Sequence, residues 1–158
     1  MNKAFTLIEI LVVVTIIGLM SAIGAVSYAQ FSKQSRDSRR KADIEQIRAA
    51  LEMYKSNNTN NSYPANVDVS CSSASGISEG TAIYLQTNPH DPKCTNLSYA
   101  YSPVSSSGGS CDGTSVTPCV TYTIGAYLEV IPATNTCSLT GCKNGVACNY
   151  CLTPYGKL

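Results

Sequence analysis

The feature that most constrains this chain is a long apolar run with one acidic residue directly before it. No charged residue occurs from Ile10 to Ser32, and Ile, Leu, Val and Ala dominate that stretch. A helix needs about 20 apolar residues to cross a bilayer, so the run predicts a membrane-spanning helix. Glu9 lies at its margin, where an unpaired carboxylate in lipid would cost at least about 2.5–3.5 kcal/mol. A charge at this position implies a partner.

The helical pattern continues beyond the apolar run. Apolar residues recur at three- and four-residue steps, as on one face of an amphipathic helix. No proline interrupts residues 5–56, so we predict one helix there, apolar over 5–29 and amphipathic over 30–56. The basic residues within 36–41 predict a solvated helix face. The apolar positions of the second part are Ile44, Ile47, Leu51 and Tyr54.

Eight cysteines occur in the chain, and all of them follow Val69. The surrounding sequence is sparsely charged and rich in Ser, Thr, Asn and Gly. An even number of cysteines in such a region predicts a disulfide-stapled domain in an oxidising compartment. At 158 residues the chain has room for one such domain after the helix. The net charge of +1 gives no reason to expect a nucleic-acid partner.

Alternating side chains predict a small antiparallel sheet within residues 97–158. Alternate residues from Leu97 to Tyr101 share one side of a short strand, and alternate residues from Val120 to Val130 share one side of a longer strand. Residues 57–96 are interpreted as a connecting loop region. The fold class is therefore α+β: a long N-terminal helix packed against a small antiparallel β-sheet head that disulfides stabilise.

Four bridges among eight cysteines allow 105 connectivities. We favour Cys71–Cys94, which would pin the connecting region, and Cys111–Cys119, which would close a hairpin. The last four cysteines would pair among themselves, although their close spacing is also that of a structural zinc site or a redox motif. The oxidising location favours disulfides, so we expect no metal and no cofactor. These four are Cys137, Cys142, Cys148 and Cys151.

The side chains that catalysis would need are sparse. His90 is the only histidine and lies between prolines in a predicted loop. The acidic residues after the helix are scattered, without the paired spacing that acid–base catalysis or a calcium loop requires. The sequence predicts no catalytic residue and a protein that is not an enzyme.

Two stretches resemble one family. Met1-Asn2-Lys3-Ala4 followed by Phe5-Thr6-Leu7-Ile8-Glu9 resembles the class III signal sequence of type IV pilins and type II secretion pseudopilins. The stretch from Lys41 to Lys55, followed by Tyr63-Pro64, is similar to the helix end of major pseudopilins and related pilins. The resemblance implies a pilin-like fold.

The resemblance also implies how the N-terminus is processed. Residues 1–4 would be a leader peptide, which prepilin peptidase removes by cutting between Ala4 and Phe5 on the cytoplasmic side before it methylates the Phe5 amine. The family usually has Gly before the cut, and this chain has the slightly larger Ala4. Glu9 of one subunit would then meet the Phe5 amine of a neighbour and fix the axial offset between parallel helices. Gly18 would also serve assembly.

The resemblance implies a structural subunit of a type IV pilus-like filament, with residues 5–29 as its core helix. Implied partners are copies of itself, prepilin peptidase, an inner-membrane assembly platform with a cytoplasmic ATPase, and the membrane. The chain would span the cytoplasmic membrane with its N-terminus inside, then join an extracellular or periplasmic filament. Two alternatives remain: a major pseudopilin of a type II secretion system, and a soluble disulfide-rich binding domain released by signal-peptide cleavage after Ala29.

Overall fold

The computed structural model describes residues 5–72 and 74–158, and the chain divides into two compact units, one ending at Ser35 and the other comprising Arg36–Leu158. Helix α1 spans Leu7–Asn57. The strands of the described residues are β1 Ile77–Glu79, β2 Ala82–Leu85, β3 Ala100–Ser105, β4 Cys119–Ala126, β5 Tyr150–Thr153 and β6 Gly156–Lys157. The long helix, small antiparallel sheets and disulfides confirm the predicted α+β, pilin-like architecture.

A group of asparagines ends helix α1. The Asn57 side-chain amide donates a hydrogen bond to the Met53 carbonyl at 2.9 Å. One residue later, Asn58 Oδ1 accepts a hydrogen bond from the Asn60 backbone N–H at 2.8 Å. Such local side-chain bonds compete with the next helical turn, so the helix stops where the asparagines begin.

The main sheet is antiparallel, with strand order β3-β4-β5-β6. Strand β4 lies inside it and pairs Ile124 with Tyr101 of β3 and Gly125 with Cys151 of β5. The predicted apolar face of the helix is buried in the same core as this sheet, and each fully buried aliphatic side chain contributes about 1.5–3 kcal/mol. The helix residues of this core are Ile44, Ile47, Ala50 and Leu51, and the sheet residues include Tyr122, Ile124 and Leu152.

Two predicted strands have different limits in the structure. Strand β3 begins at Ala100, later than the alternation indicates, and β4 ends at Ala126 instead of Val130. Beyond β4, the Asn149 side chain takes the place of a strand partner. Its Nδ2 donates to the Leu128 carbonyl at 2.9 Å, and its Oδ1 accepts from the Leu128 N–H at 2.6 Å. A side chain therefore satisfies this backbone, and the ladder stops.

Strands β1 and β2 form a separate two-stranded hairpin. They lie within the region interpreted from the sequence as a connecting loop. Each strand has only three or four residues, which is too short for alternation to reveal. Ile77 of β1 is buried in the main core, so the hairpin is anchored to the rest of the head.

All eight cysteines form disulfides in the structure. The pairs Cys71–Cys94 and Cys111–Cys119 join the residues that we favoured from the sequence. The last four cysteines pair among themselves and form a buried cluster of their own. Cys148-x-x-Cys151 therefore contributes one sulfur to each of two bonds. Those two bonds are Cys137–Cys151 and Cys142–Cys148.

Candidate assembly site

The N-terminal part of helix α1 exposes its apolar side chains. Every side chain described between Phe5 and Phe31 is exposed, and Phe5 itself is 75% exposed. Soluble monomers rarely expose a contiguous apolar surface of this extent, so this part of the helix requires a cover. By length and composition alone, the helix is long and apolar enough to cross a membrane.

Thr6 begins helix α1. Its Oγ1 accepts a hydrogen bond from the Glu9 N–H at 3.3 Å, and its carbonyl accepts from the Ile10 N–H at 3.3 Å. Thr6 is thus the N-cap, and Thr6-x-x-Glu9 is the sequence of a capping box. A carboxylate in the first turn also interacts favourably with the helix dipole. Glu9 therefore has a role within its own chain, at the start of helix α1, in addition to any role that its place beside the apolar run implies.

The predicted processing and assembly residues lie along the same segment. Phe5 immediately precedes the N-cap, so its backbone is outside the helix and its side chain is exposed. Ala4 lies outside the described residues. Glu9 is in the first helical turn, four residues from Phe5, whereas Gly18 lies further along the helix. Glu9 and Phe5 therefore lie together at the start of helix α1, and Gly18 is a separate position.

Gly18 is not required by the packing of its own chain. A Cβ placed there would meet no atom within 4 Å. Gly in a helix is less favourable than Ala by about 0.8–1.0 kcal/mol, so its presence calls for another reason. Ala22 lies four residues later, on the same helix face. Small residues at this spacing allow two apolar helices to approach closely in a membrane.

A buried cluster of charges fixes the start of the second unit, and we call it the Arg40 cluster. Arg40 is 0% exposed, although the sequence predicts a solvated basic face here. Its Nε and Nη2 donate to the two Asp91 carboxylate oxygens at 2.7 and 2.9 Å. Its Nη1 donates to Asp37 at 2.7 Å and to Glu129 at 3.1 Å. One guanidinium thus joins helix α1 to two distant segments.

Two further cations complete the Arg40 cluster. Arg36 donates to both oxygens of Glu129 at 2.6 and 2.8 Å, and Lys93 Nζ donates to Glu129 at 2.9 Å. Hydrogen bonds from Arg36, Lys93 and Arg40 hold the pKa of Glu129 well below its usual range, although burial opposes the shift. Burial acts to lower the pKa of Arg40, yet its bonds to Asp91 and Asp37 leave that pKa above its usual value. Glu129 and Arg40 therefore both remain charged at neutral pH.

The Arg40 cluster could not be found by spacing along the chain. Asp37 and Arg40 are three residues apart, which is a helix pair the sequence permits. Asp91 and Glu129 are 51 and 89 residues from Arg40, so only the folded chain brings them together. Among the described residues, no group of three or more His, Cys, Asp or Glu side chains has the arrangement of a metal site.

Comparison with known proteins identifies the N-terminal segment. Residues 1–25 match the prokaryotic N-terminal methylation motif. This is the class III signal motif of type IV pilins and pseudopilins, so the predicted resemblance of the N-terminus is confirmed. No curated protein and no solved structure matches the chain. The chain therefore carries a pilin-type signal on an α+β, pilin-like architecture.

Proposed function

We propose that this protein is a structural subunit of a type IV pilus-like filament. The observation that carries the proposal is the methylation motif at residues 1–25 on a helix whose apolar side chains are exposed. Proteins with this motif are structural subunits, and their activity is polymerisation. We assign this chain the same structural role and no enzymatic activity.

Processing is the first step of the proposed function. Prepilin peptidase cuts between Ala4 and Phe5 and methylates the new amine. Phe5 lies outside helix α1 and is exposed, which supports access to it. Cleavage leaves the cap intact. Before cleavage, the apolar run holds the chain in the cytoplasmic membrane with the N-terminus inside.

Assembly is the second step. Copies of the chain bury their apolar helices against each other, on an inner-membrane platform driven by a cytoplasmic ATPase. The Phe5 amine is positive, and Glu9 is the nearest carboxylate in the sequence. Pairing Glu9 with the amine of a neighbouring copy neutralises two charges that are unfavourable in low dielectric. The pair fixes the axial offset between helices, while Gly18 permits their close approach.

A second filament type is a separate candidate. The stretch from Lys41 to Lys55, followed by Tyr63-Pro64, is similar to major pseudopilins and favours a short secretion pseudopilus. A soluble binding domain released after Ala29 belongs to a different class. The second unit supports that alternative through its own buried core and four disulfides.

Mass spectrometry of the mature N-terminus tests the proposal. The full chain is expressed with and without a prepilin peptidase, beside Ala4→Gly and Ala4→Leu variants. We expect N-methylated Phe5 in the parent and in Ala4→Gly, and an uncut precursor in Ala4→Leu or without the peptidase. A mature chain that begins at Gln30 would overturn the proposal in favour of the soluble domain. Electron microscopy then separates long fibres from a short pseudopilus.

A further inference from the structure

An apolar segment of the head is exposed next to the Arg40 cluster. It consists of Val130, Ile131 and Pro132, directly after Glu129, and we call it the 130–132 segment. Ile131 is 69% exposed and Val130 is 41% exposed. The alternation of the sequence places Val130 on the same side of a predicted strand as Val120, but β4 ends before it. These side chains therefore lie outside the core of the chain.

The Arg40 cluster holds the 130–132 segment against helix α1. Asp37 Oδ1 accepts from the Glu129 N–H at 2.9 Å, and Asp37 Oδ2 accepts from the Val130 N–H at 2.8 Å. Asp37 is 4% exposed, and its carboxylate is also bound by Arg40. The segment is thus fixed to the first helical turn of the second unit.

That turn directly follows the predicted membrane span in the sequence. Asp37 is six residues after Phe31, the last large apolar residue of the run. Six residues reach at most about 20 Å when fully extended, so the chain keeps Asp37 within that distance of Phe31. Asp37 also accepts from the Val130 N–H, so this bond ties the 130–132 segment to the part of the chain that follows the span.

The charges around the segment favour an anionic surface. The carboxylates of Asp37 and Asp91 are buried, that of Glu129 is largely covered, and all three are paired with cations. In contrast, Arg39 and Lys93 keep much of their side chains exposed, at 66% and 48%. Arg39 has one carboxylate at 3.9 Å, that of Asp43, which is itself bound by the Tyr99 hydroxyl. Lys93 binds Glu129, directly before the segment, and is thus a largely exposed cation beside it; anionic headgroups attract such residues.

We propose that the 130–132 segment contacts the bilayer surface in the membrane-inserted chain, with anionic phospholipid as its partner. The inference rests on the proposed function, because it requires the apolar run to be in a membrane. Three residues are too few for a stable protein interface, which typically buries about 800 Å² per partner. Shallow insertion of one aliphatic residue beside cations suits the interface of a bilayer. The contact would orient the head before assembly.

Tryptophan quenching tests this contact, since the chain contains no tryptophan. Ile131→Trp is introduced into the full chain, which is reconstituted into phosphatidylcholine–phosphatidylglycerol vesicles with brominated acyl chains. Val116→Trp is the matched control. Val116 is 86% exposed, and its loop is tied to Asn60, beyond the far end of helix α1. Val14→Trp, within the apolar run, reports insertion.

We expect brominated lipid to quench the Ile131→Trp variant several-fold more strongly than the Val116→Trp variant, and quenching to fall when phosphatidylglycerol is omitted. Equally weak quenching at positions 131 and 116, with strong quenching at position 14, would overturn the lipid contact but not the membrane-inserted state. Weak quenching at position 14 would overturn the membrane-inserted state and the contact with it. The fluorescence of the Ile131→Trp variant could instead shift to the blue as protein concentration rises, with no effect of bromine. That result would assign the segment to a contact with a second copy and overturn the lipid partner.

Discussion

Glu9 has two roles available at the scale of the single residue. Within its own chain it occupies the third helical position after the Thr6 cap, where it completes a capping-box sequence. In the proposed filament it neutralises the Phe5 amine of a neighbouring copy. The two roles need different chemistry, since Gln also completes a capping box but carries no charge.

Glu9→Gln therefore separates the two roles. We expect the variant to keep its helix content in detergent, measured by circular dichroism, because the cap is retained. We expect filament yield and cross-linking between copies to fall at least tenfold, because the amine loses its counter-charge. Glu45→Gln is the control, since Glu45 lies on the same helix and pairs only at the surface, with Arg48 at 2.7 Å. Unchanged yield for Glu9→Gln would assign the residue to the cap alone.

Among the charged residues of the head, Arg40 is the one whose loss we expect to lower stability most. Its replacement leaves the Asp37 and Asp91 carboxylates, both nearly inaccessible to water, without the cation that binds them both. Breaking a buried ion pair by removing one partner typically costs about 3–5 kcal/mol. A surface pair contributes only about 0–1 kcal/mol.

Arg40→Ala is thus expected to lower the free energy of unfolding of the head by about 3–5 kcal/mol. Arg48→Ala is the matched control, because Arg48 binds Glu45 across one helical turn and both side chains are partly exposed; we expect a loss below about 1 kcal/mol. Urea unfolding of the full chain in detergent, followed by near-ultraviolet circular dichroism, measures both. Similar losses in the two variants would contradict a stabilising role for the Arg40 cluster.

At the scale of elements, Gly125 allows strand β4 to lie against the last four cysteines. A Cβ at position 125 would lie 2.8 Å from Cys151 Sγ and 3.0 Å from both Cβ and Sγ of Cys148. Real side chains do not approach so closely, so the two disulfides of these residues require Gly here. The close approach joins the middle of the sheet to the cysteine-rich end of the chain.

Gly125→Ala is expected to destabilise the head by about 1–3 kcal/mol, the usual range for overpacking a core. It should also increase the free thiols after oxidative folding, because the clash falls on two bonded cysteines. Gly109→Ala is the control, since its new Cβ would make only ordinary contacts, at 3.9 and 4.0 Å. Thiol titration of unreduced protein and thermal unfolding measure the effects, and an equal response of both variants would argue against the close approach.

The sequence predicts the elements of this fold unevenly, for physical reasons. Helix α1 is predictable because a long apolar run continues, without an intervening proline, into a segment with helical periodicity, and asparagines mark its end. The end of β4 is not, because it depends on Asn149, which lies 21 residues beyond Leu128. The Arg40 cluster cannot be predicted from the sequence for the same reason. Each of its long-range pairs joins residues whose spacing carries no periodic signal.

At the scale of the whole molecule, the two units place opposite demands on their surroundings. The first unit exposes apolar side chains and needs a membrane or copies of itself to cover them. The second unit buries apolar side chains in a core of its own. In the proposed function, this division lets one chain pass from membrane to filament without refolding its head.

The Cys71–Cys94 disulfide and the Arg40 cluster hold the same part of the head. Cys94 follows Asp91 by three residues, and the intervening Lys93 N–H donates to Asp91 at 2.7 Å. The bond closes a loop that contains the β1–β2 hairpin. With a separation of 23 residues, loop closure predicts a contribution of about 3.4 kcal/mol. Loss of this bond also frees Asp91 to move away from Arg40.

A double-mutant cycle tests whether these two features act together. We expect the combined loss from Cys71→Ala/Cys94→Ala and Arg40→Ala to differ from the sum of the separate losses by about 0.5–3 kcal/mol, because both act through Asp91. The control cycle pairs Arg40→Ala with removal of Cys111–Cys119. The Cys119 backbone N–H donates to Ser62 Oγ, past the C-terminal end of helix α1 and far from Asp91 in the sequence, so those losses should add within about 0.5 kcal/mol. Urea unfolding of the full chain in detergent gives each value, and additivity in both cycles would show that the disulfide and the Arg40 cluster stabilise the head independently.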